Sequence, residues 1–72
     1  MIAKFTLKKI EKLQLIRNNK NISYKNMAEM LGVSKTYYWQ IENGKRRLTY
    51  EFAKKIASIF NLKPDDIFYE EF

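Results

Sequence analysis

The chain contains no cysteine and no histidine, only two glycines and a single proline. Without cysteine no disulfide braces the fold, so its 72 residues must hold together by core and helix packing alone. With cysteine and histidine both missing, only carboxylates remain as metal ligands, and neither a metal site nor a cofactor is expected. The same gaps remove the commonest general base and the commonest covalent nucleophile. No catalytic constellation replaces them, and so short a chain has little room for a pocket, so a binding protein is expected rather than an enzyme. No apolar run approaches the roughly 20 residues of a membrane span. The segment 1–9 has no apolar core of the kind a signal peptide carries, so a cytoplasmic protein with no membrane partner is expected.

What is present is 46% hydrophobic and 15% aromatic, enough for a folded core rather than a disordered tail. The net charge is +6, which implies an anionic partner. That charge is unevenly placed. Residues 1–47 carry eleven Lys and Arg against Glu11, Glu29 and Glu42, whereas residues 48–72 carry three Lys against five acids. A basic first two-thirds and a mildly acidic end imply one functional face. The scattered Lys8, Lys9 and Lys12 are read simply as solvating a helix back.

The pattern is helical throughout, and one domain over residues 1–72 is expected, with 1–6 as an N-terminal extension. A first helix is predicted from about Leu7 to Asn18, with Thr6 as its cap, Ile10, Leu13, Ile16 and Arg17 on one face and Leu15 off it. Asn18 to Asn21 form a polar break. The next three helices share a starting device: Ile22-Ser23, Val33-Ser34 and Leu48-Thr49 each put an apolar residue before a hydroxyl cap. The apolar residue can staple onto the one five places later, which is Met27, Tyr38 or Ala53. Helix two then covers about Tyr24–Leu31 and ends at Gly32; helix three covers about Lys35–Asn43 and ends at Gly44. Helix four covers about Tyr50–Phe60, with Phe52, Ile56, Ala57, Ile59 and Phe60 largely inward. A last short helix begins near Pro64, with Asp65 and Asp66 at its positive end.

Residues 24–43 carry the functional signal. Met27, Ala28, Leu31, Val33, Tyr38 and Ile41 line the facing sides of two short helices joined by Leu31-Gly32-Val33-Ser34. Two helices joined at a steep angle by a short glycine turn make a helix-turn-helix. The segments Met27-Ala28-Glu29-Met30-Leu31-Gly32-Val33-Ser34 and Ile41-Glu42-Asn43-Gly44-Lys45-Arg46, at this spacing, resemble the lambda-repressor-like (Xre-type) helix-turn-helix family. The similarity runs from about Leu13 to Phe68, where Ala53, Ile56-Ala57 and Phe60-Asn61-Leu62-Lys63-Pro64-Asp65-Asp66-Ile67-Phe68 look like its fourth and fifth helices. The resemblance implies an all-α, five-helix domain that binds double-stranded DNA, usually as a homodimer and usually to regulate transcription.

On that resemblance the third helix enters the major groove, with Lys35, Thr36, Trp39 and Gln40 at base-reading positions. Lys35 can donate to guanine, Gln40 can pair bidentately with adenine, and Thr36 can meet either edge. Alone, Lys35 or Gln40 would be read as solvated helix surface. Trp39 can pack on thymine methyls or serve an ordinary packing role, Tyr38 is assigned to the core, and Tyr37 stays open between core and surface. Ser23, Tyr24 and Ser34, at helix N-termini, and Lys45, Arg46 and Arg47, after the reading helix, are assigned to phosphates. Arg17 and Glu42 are assigned to a structural ion pair, as in relatives. Tyr69 and Phe72, at an end rich in apolar surface, are assigned to a dimer contact. With no room for a sensing domain, control is expected from concentration, dimerisation or a protein regulator. The alternative is a protein-interaction module of the same fold, such as an antitoxin or anti-repressor partner, with little DNA binding of its own.

Overall fold

A computed structural model describes residues 9–69. Five helices follow one another: α1 (Glu11–Asn19), α2 (Tyr24–Leu31), α3 (Lys35–Glu42), α4 (Tyr50–Ile59) and α5 (Pro64–Phe68). No strand occurs among the described residues. The N-terminal extension 1–6, the Thr6 cap and Phe72 lie outside the described residues.

The caps form as the hydroxyl pattern requires. Ser23 Oγ accepts from the Asn26 N–H at 3.0 Å, Ser34 Oγ from the Tyr37 N–H at 3.0 Å, and Thr49 Oγ1 from the Phe52 N–H at 3.2 Å. The apolar residues before them, Ile22, Val33 and Leu48, pack against the same core that buries Met27, Tyr38 and Ala53. At α5 the Lys63 N–H donates to the Asp66 carboxylate at 2.8 Å, so Asp66 supports the first turn by a bond as well as by charge.

The helix ends repeat a device of their own. Gly32 (φ 74°) and Gly44 (φ 72°) are left-handed, and so are Asn21 (φ 57°) and Asn61 (φ 59°). At each, the next N–H returns to the carbonyl five residues back: Ile22 to Arg17, Val33 to Ala28, Lys45 to Gln40 and Leu62 to Ala57, at 2.8–3.1 Å. This double-bonded turn satisfies helix-end carbonyls and reverses the chain sharply. Asparagine tolerates the left-handed region better than most side-chain-bearing residues, which is why it serves at two of the four ends.

Helix one departs from the sequence pattern. It begins at Glu11, not near Leu7. Ile10 has a non-helical backbone (φ −92°, ψ 87°), and its N–H donates to the Glu42 carbonyl at 2.9 Å, at the end of α3. A tertiary hydrogen bond thus holds out of the helix a residue whose spacing looked helical. Leu15 is exposed, off the buried face. Helices α3 and α4 each stop a residue short of the sequence estimate, with Asn43 and Phe60 as caps.

Around one core, α2 packs on α3, α4 on α5, α1 on both α3 and α5, and α2 on α4. Leu13, Met27, Ala28, Tyr38, Ile41, Ile56 and Phe68 are buried there. Phe52, Ile59 and Phe60 are only half-buried at its margin.

The core also holds charge. Glu42 is fully buried and takes two hydrogen bonds from Arg17, Nε to Oε1 at 2.8 Å and Nη2 to Oε2 at 2.9 Å. Tyr38 donates its hydroxyl to Glu42 Oε1 at 2.7 Å, and Arg17 Nη1 reaches the Ile22 carbonyl at 2.7 Å. The guanidinium lies 4.1 Å from the centre of the Tyr24 ring. The hydrogen bond that Arg17 donates to Glu42 raises the Arg17 pKa above its ordinary value. Burial first, and the bond to Glu42 second, raise that of Tyr38.

Two outcomes follow for stability. Glu42→Leu strands the Arg17 charge in the core and lowers the unfolding free energy by about 3–5 kcal/mol in urea denaturation. Replacing Arg17→Met, Tyr38→Phe and Glu42→Leu together costs less than Glu42→Leu alone. The second outcome concerns alkaline pH. Folded Tyr38 keeps its proton where the unfolded chain has lost it, so its contribution is complete below pH 10.0 and declines above. Arg17, whose pKa is raised further above its already high ordinary value, stays charged in this range and adds no slope. Stability measured as pH rises from 10.0 falls in the wild type, and less steeply in Tyr38→Phe.

Candidate nucleic-acid interface

Helix α3 spans eight residues, about 12 Å at 1.5 Å per residue. Tyr38, Ile41 and Glu42 face the core, while Lys35, Thr36 and Trp39 are exposed and Gln40 is half-buried. Positions 35, 36, 39 and 40 share one helical face, because neighbours on a helix surface are three and four residues apart. The structure therefore brings the four expected base-reading residues into one row, on a helix locked from behind. The only tryptophan is 38% exposed in that row, so the core does not claim its indole.

The expected phosphate contacts divide. Ser23 and Ser34 are exposed, and each hydroxyl already accepts from its own helix, leaving the O–H free to donate outward. Tyr24 is half-buried. Its ring lies beneath Arg17 and 6.2 Å from the Tyr38 ring, and its hydroxyl accepts from Asn43 Nδ2 at 3.5 Å. Tyr24 thus also packs against the buried ion pair.

Lys45, Arg46 and Arg47 are exposed in the turn after α3. The left-handed Gly44 and the bond from the Lys45 N–H to the Gln40 carbonyl (2.8 Å) fold this basic segment back along the helix it follows. Arg46 Nε donates to Gln40 Oε1 at 3.1 Å, and its guanidinium lies 4.9 Å from the centre of the Tyr37 ring. Tyr37 is itself met edge-on by Phe52 of α4, with centroids 5.5 Å apart.

Sequence reasoning missed two supporting residues. Tyr37, left open between core and surface, is the shelf under Arg46. Asn43 ties the end of α3 to α2 through Tyr24, and its amide also donates to the Trp39 carbonyl at 3.0 Å. The glycine after Asn43 was the available signal, since it fixes where the chain turns back.

The Arg17–Glu42 pair stands where the resemblance put it, and Glu42 thereby loses its charge as a surface feature. The acid at the end of α3 is neutralised inside the protein, where it does not repel a polyanion. Tyr69 is 75% exposed and Leu62 37%, an apolar margin at the C-terminal end of the described chain. No described helix is long and apolar enough to cross a membrane.

Two capped helices joined by a glycine turn, with the second presenting a polar row, define a helix-turn-helix protein. The chain belongs to the helix-turn-helix family HTH_3, which it matches over residues 13–67. It is 38% identical over 60 residues to an uncharacterized HTH-type transcriptional regulator of Methanocaldococcus jannaschii, covering 83% of this chain and 91% of that one. Two crystal structures share its fold. One is the clp gene regulator ClgR from Corynebacterium glutamicum (TM-score 0.74, 22% identity, 83% of this chain and 64% of that one). The other is an HTH_3 family transcriptional regulator from Vibrio cholerae (TM-score 0.74, 28% identity, 93% and 38%). The chain thus spans less than two thirds of either solved regulator. Membership of this family accords with the sequence reading of a binding protein rather than an enzyme.

Because Lys35 and Thr36 point away from the core, Lys35→Ala and Thr36→Ala should leave thermal stability within about 0.5 kcal/mol of wild type. A larger loss by calorimetry would mean that these side chains serve the fold and not a partner.

Proposed function

We propose that the protein is a sequence-specific DNA-binding transcriptional regulator that sets α3 into the major groove of duplex DNA. The observation that carries this reading is the row of exposed Lys35, Thr36 and Trp39 with half-buried Gln40, on a helix whose opposite side is fixed by the core and the Arg17–Glu42 pair. The major groove, about 12 Å wide, admits an α-helix and displays the donor and acceptor pattern that Lys and Gln side chains can read. Lys45, Arg46 and Arg47 supply phosphate contacts on one side of the row. Ser23 and Ser34, with the helix N-termini they cap, supply them on the other. The M. jannaschii relative, a transcriptional regulator by name, supports the same class.

One eight-residue helix reaches few base pairs, so we propose that the protein acts as a homodimer on an inverted repeat. Exposed Tyr69 supports the C-terminal end as the contact, and Phe72 extends the same segment. We take duplex DNA as the partner and the cytoplasm as its place of action, the latter because neither a signal-peptide core nor a membrane-length apolar run occurs in the sequence given. Control is proposed to come from concentration, dimerisation or a protein regulator.

Selection from a random duplex library followed by footprinting tests this reading. The expected site is an inverted repeat with half-site centres about 34 Å apart, one helical turn. Arg47→Gln should weaken binding to every sequence and lower the slope of log affinity against log salt by about one. Binding that selects no sequence and ignores salt would leave a protein-interaction module as the better account.

A further inference from the structure

The sequence reading assigns Arg46 to a phosphate contact. Its surroundings give it more to do. The guanidinium is placed twice: its Nε–H donates to Gln40 Oε1 at 3.1 Å, and its Cζ lies over the Tyr37 ring, 4.9 Å from the ring centre. Tyr37 in turn is held edge-on by Phe52 from α4. The Gly44 turn brings Arg46 to this position, because the Lys45 N–H returns to the carbonyl of Gln40 itself. One residue of the basic turn is therefore fastened to one residue of the reading row.

We infer that Arg46 is a specificity-determining residue, which fixes the side-chain amide of Gln40 in the orientation that reads adenine. This rests on the proposed function, in which α3 is the reading helix. A glutamine amide presents an acceptor on one side and a donor on the other, and swapping them changes which base edge it matches. Arginine has only donors, so the side of the amide that faces Arg46 is the oxygen. That oxygen keeps a second lone pair for the adenine N6 amino group, while Nε2 is left to donate to N7. An unbraced glutamine would sample both orientations and lose rotamer freedom on binding. Four guanidinium N–H groups of Arg46 remain beyond the one that Gln40 takes, enough for a phosphate oxygen. The same side chain then sets the base reader and grips the backbone beside it.

Lysine separates the two roles, since it keeps the charge but has no planar fork to lie on Tyr37 while donating sideways. The probes are the duplex that wild-type protein selects from a random library and its single-base variants. Affinities are measured across a salt series for wild type, Arg46→Lys, Arg46→Ala, Gln40→Ala and the Gln40→Ala/Arg46→Lys pair, with circular dichroism confirming each fold. Gln40→Ala identifies the base pair that Gln40 reads. At that pair, and not elsewhere, Arg46→Lys is expected to cut the preference at least about fivefold, the low end for a bidentate base contact, with an unchanged salt slope. Arg46→Ala should show the same loss together with a shallower slope. In the double variant Arg46→Lys should cost nothing further at that pair. If Arg46→Lys keeps the full preference while Gln40→Ala loses it, Arg46 is a phosphate contact only and the inference falls. If wild-type protein prefers no sequence, the function proposed above falls first.

Discussion

A carboxylate without exposure to water is the constraint around which this small domain is arranged. Burying Glu42 costs several kcal/mol of hydration, and the cost is tolerable only if each oxygen finds strong donors. Arg17 provides two in a bidentate pair, and Tyr38 provides a third. Arg17 Nη1 also donates to the Ile22 carbonyl, and the guanidinium lies over the face of Tyr24. Among the described residues no buried side-chain nitrogen or oxygen is left without a partner. Apolar contacts alone would let α3 roll or slide on its neighbours, since they carry little direction. The charge-assisted bonds join α1, the turn that leads into α2, and the C-terminal end of α3 at set angles.

The second organising element is the repeated helix ending. Each left-handed residue at 21, 32, 44 and 61 converts a helix end into a sharp reversal, so short helices can pack around one core without long loops. The reversal at Gly44 has the greatest bearing on the interface. It ties the Lys45 backbone and the Arg46 side chain to Gln40 of the helix they follow. Local backbone geometry thus decides where the positive charge of the sequence is delivered.

What could be read from the sequence follows the range of the forces involved. The caps at Ser23, Ser34 and Thr49 act over three residues, and the helices they start begin where the pattern places them. The glycine endings are equally local. The asparagine endings at 21 and 61 were less plain, because asparagine adopts many loop conformations besides the left-handed one. The start of α1 was misplaced because its cause is distant: Ile10 pairs with the Glu42 carbonyl, and no local periodicity reports that. The Arg17–Glu42 pair was reached through family resemblance, since charged residues far apart in the chain give no pairing signal of their own. Tyr37 was ambiguous for a similar reason. It sits at the edge of the core, where its ring meets Phe52 on one side and Arg46 on another.

The row Lys35, Thr36, Trp39 and Gln40 is not uniform, and the difference bears on how such a surface would discriminate. Lys35 and Thr36 stand at the start of α3 on exposed positions, and their flexibility would be lost on meeting a base edge. Gln40 is half-buried and already hydrogen-bonded, so much of that cost has been met in folding. On the proposed function, the N-terminal end of α3 therefore adapts to its base pairs, while the Gln40 end tests them against a set geometry. A mismatch at an adaptable position is partly relieved by another rotamer or by water. A mismatch at a braced position leaves donors and acceptors facing one another unpaired, which is the costlier error in a desolvated groove. Discrimination should then be sharpest toward the Gly44 end of the helix, where the turn, the aromatic shelf and the basic segment converge.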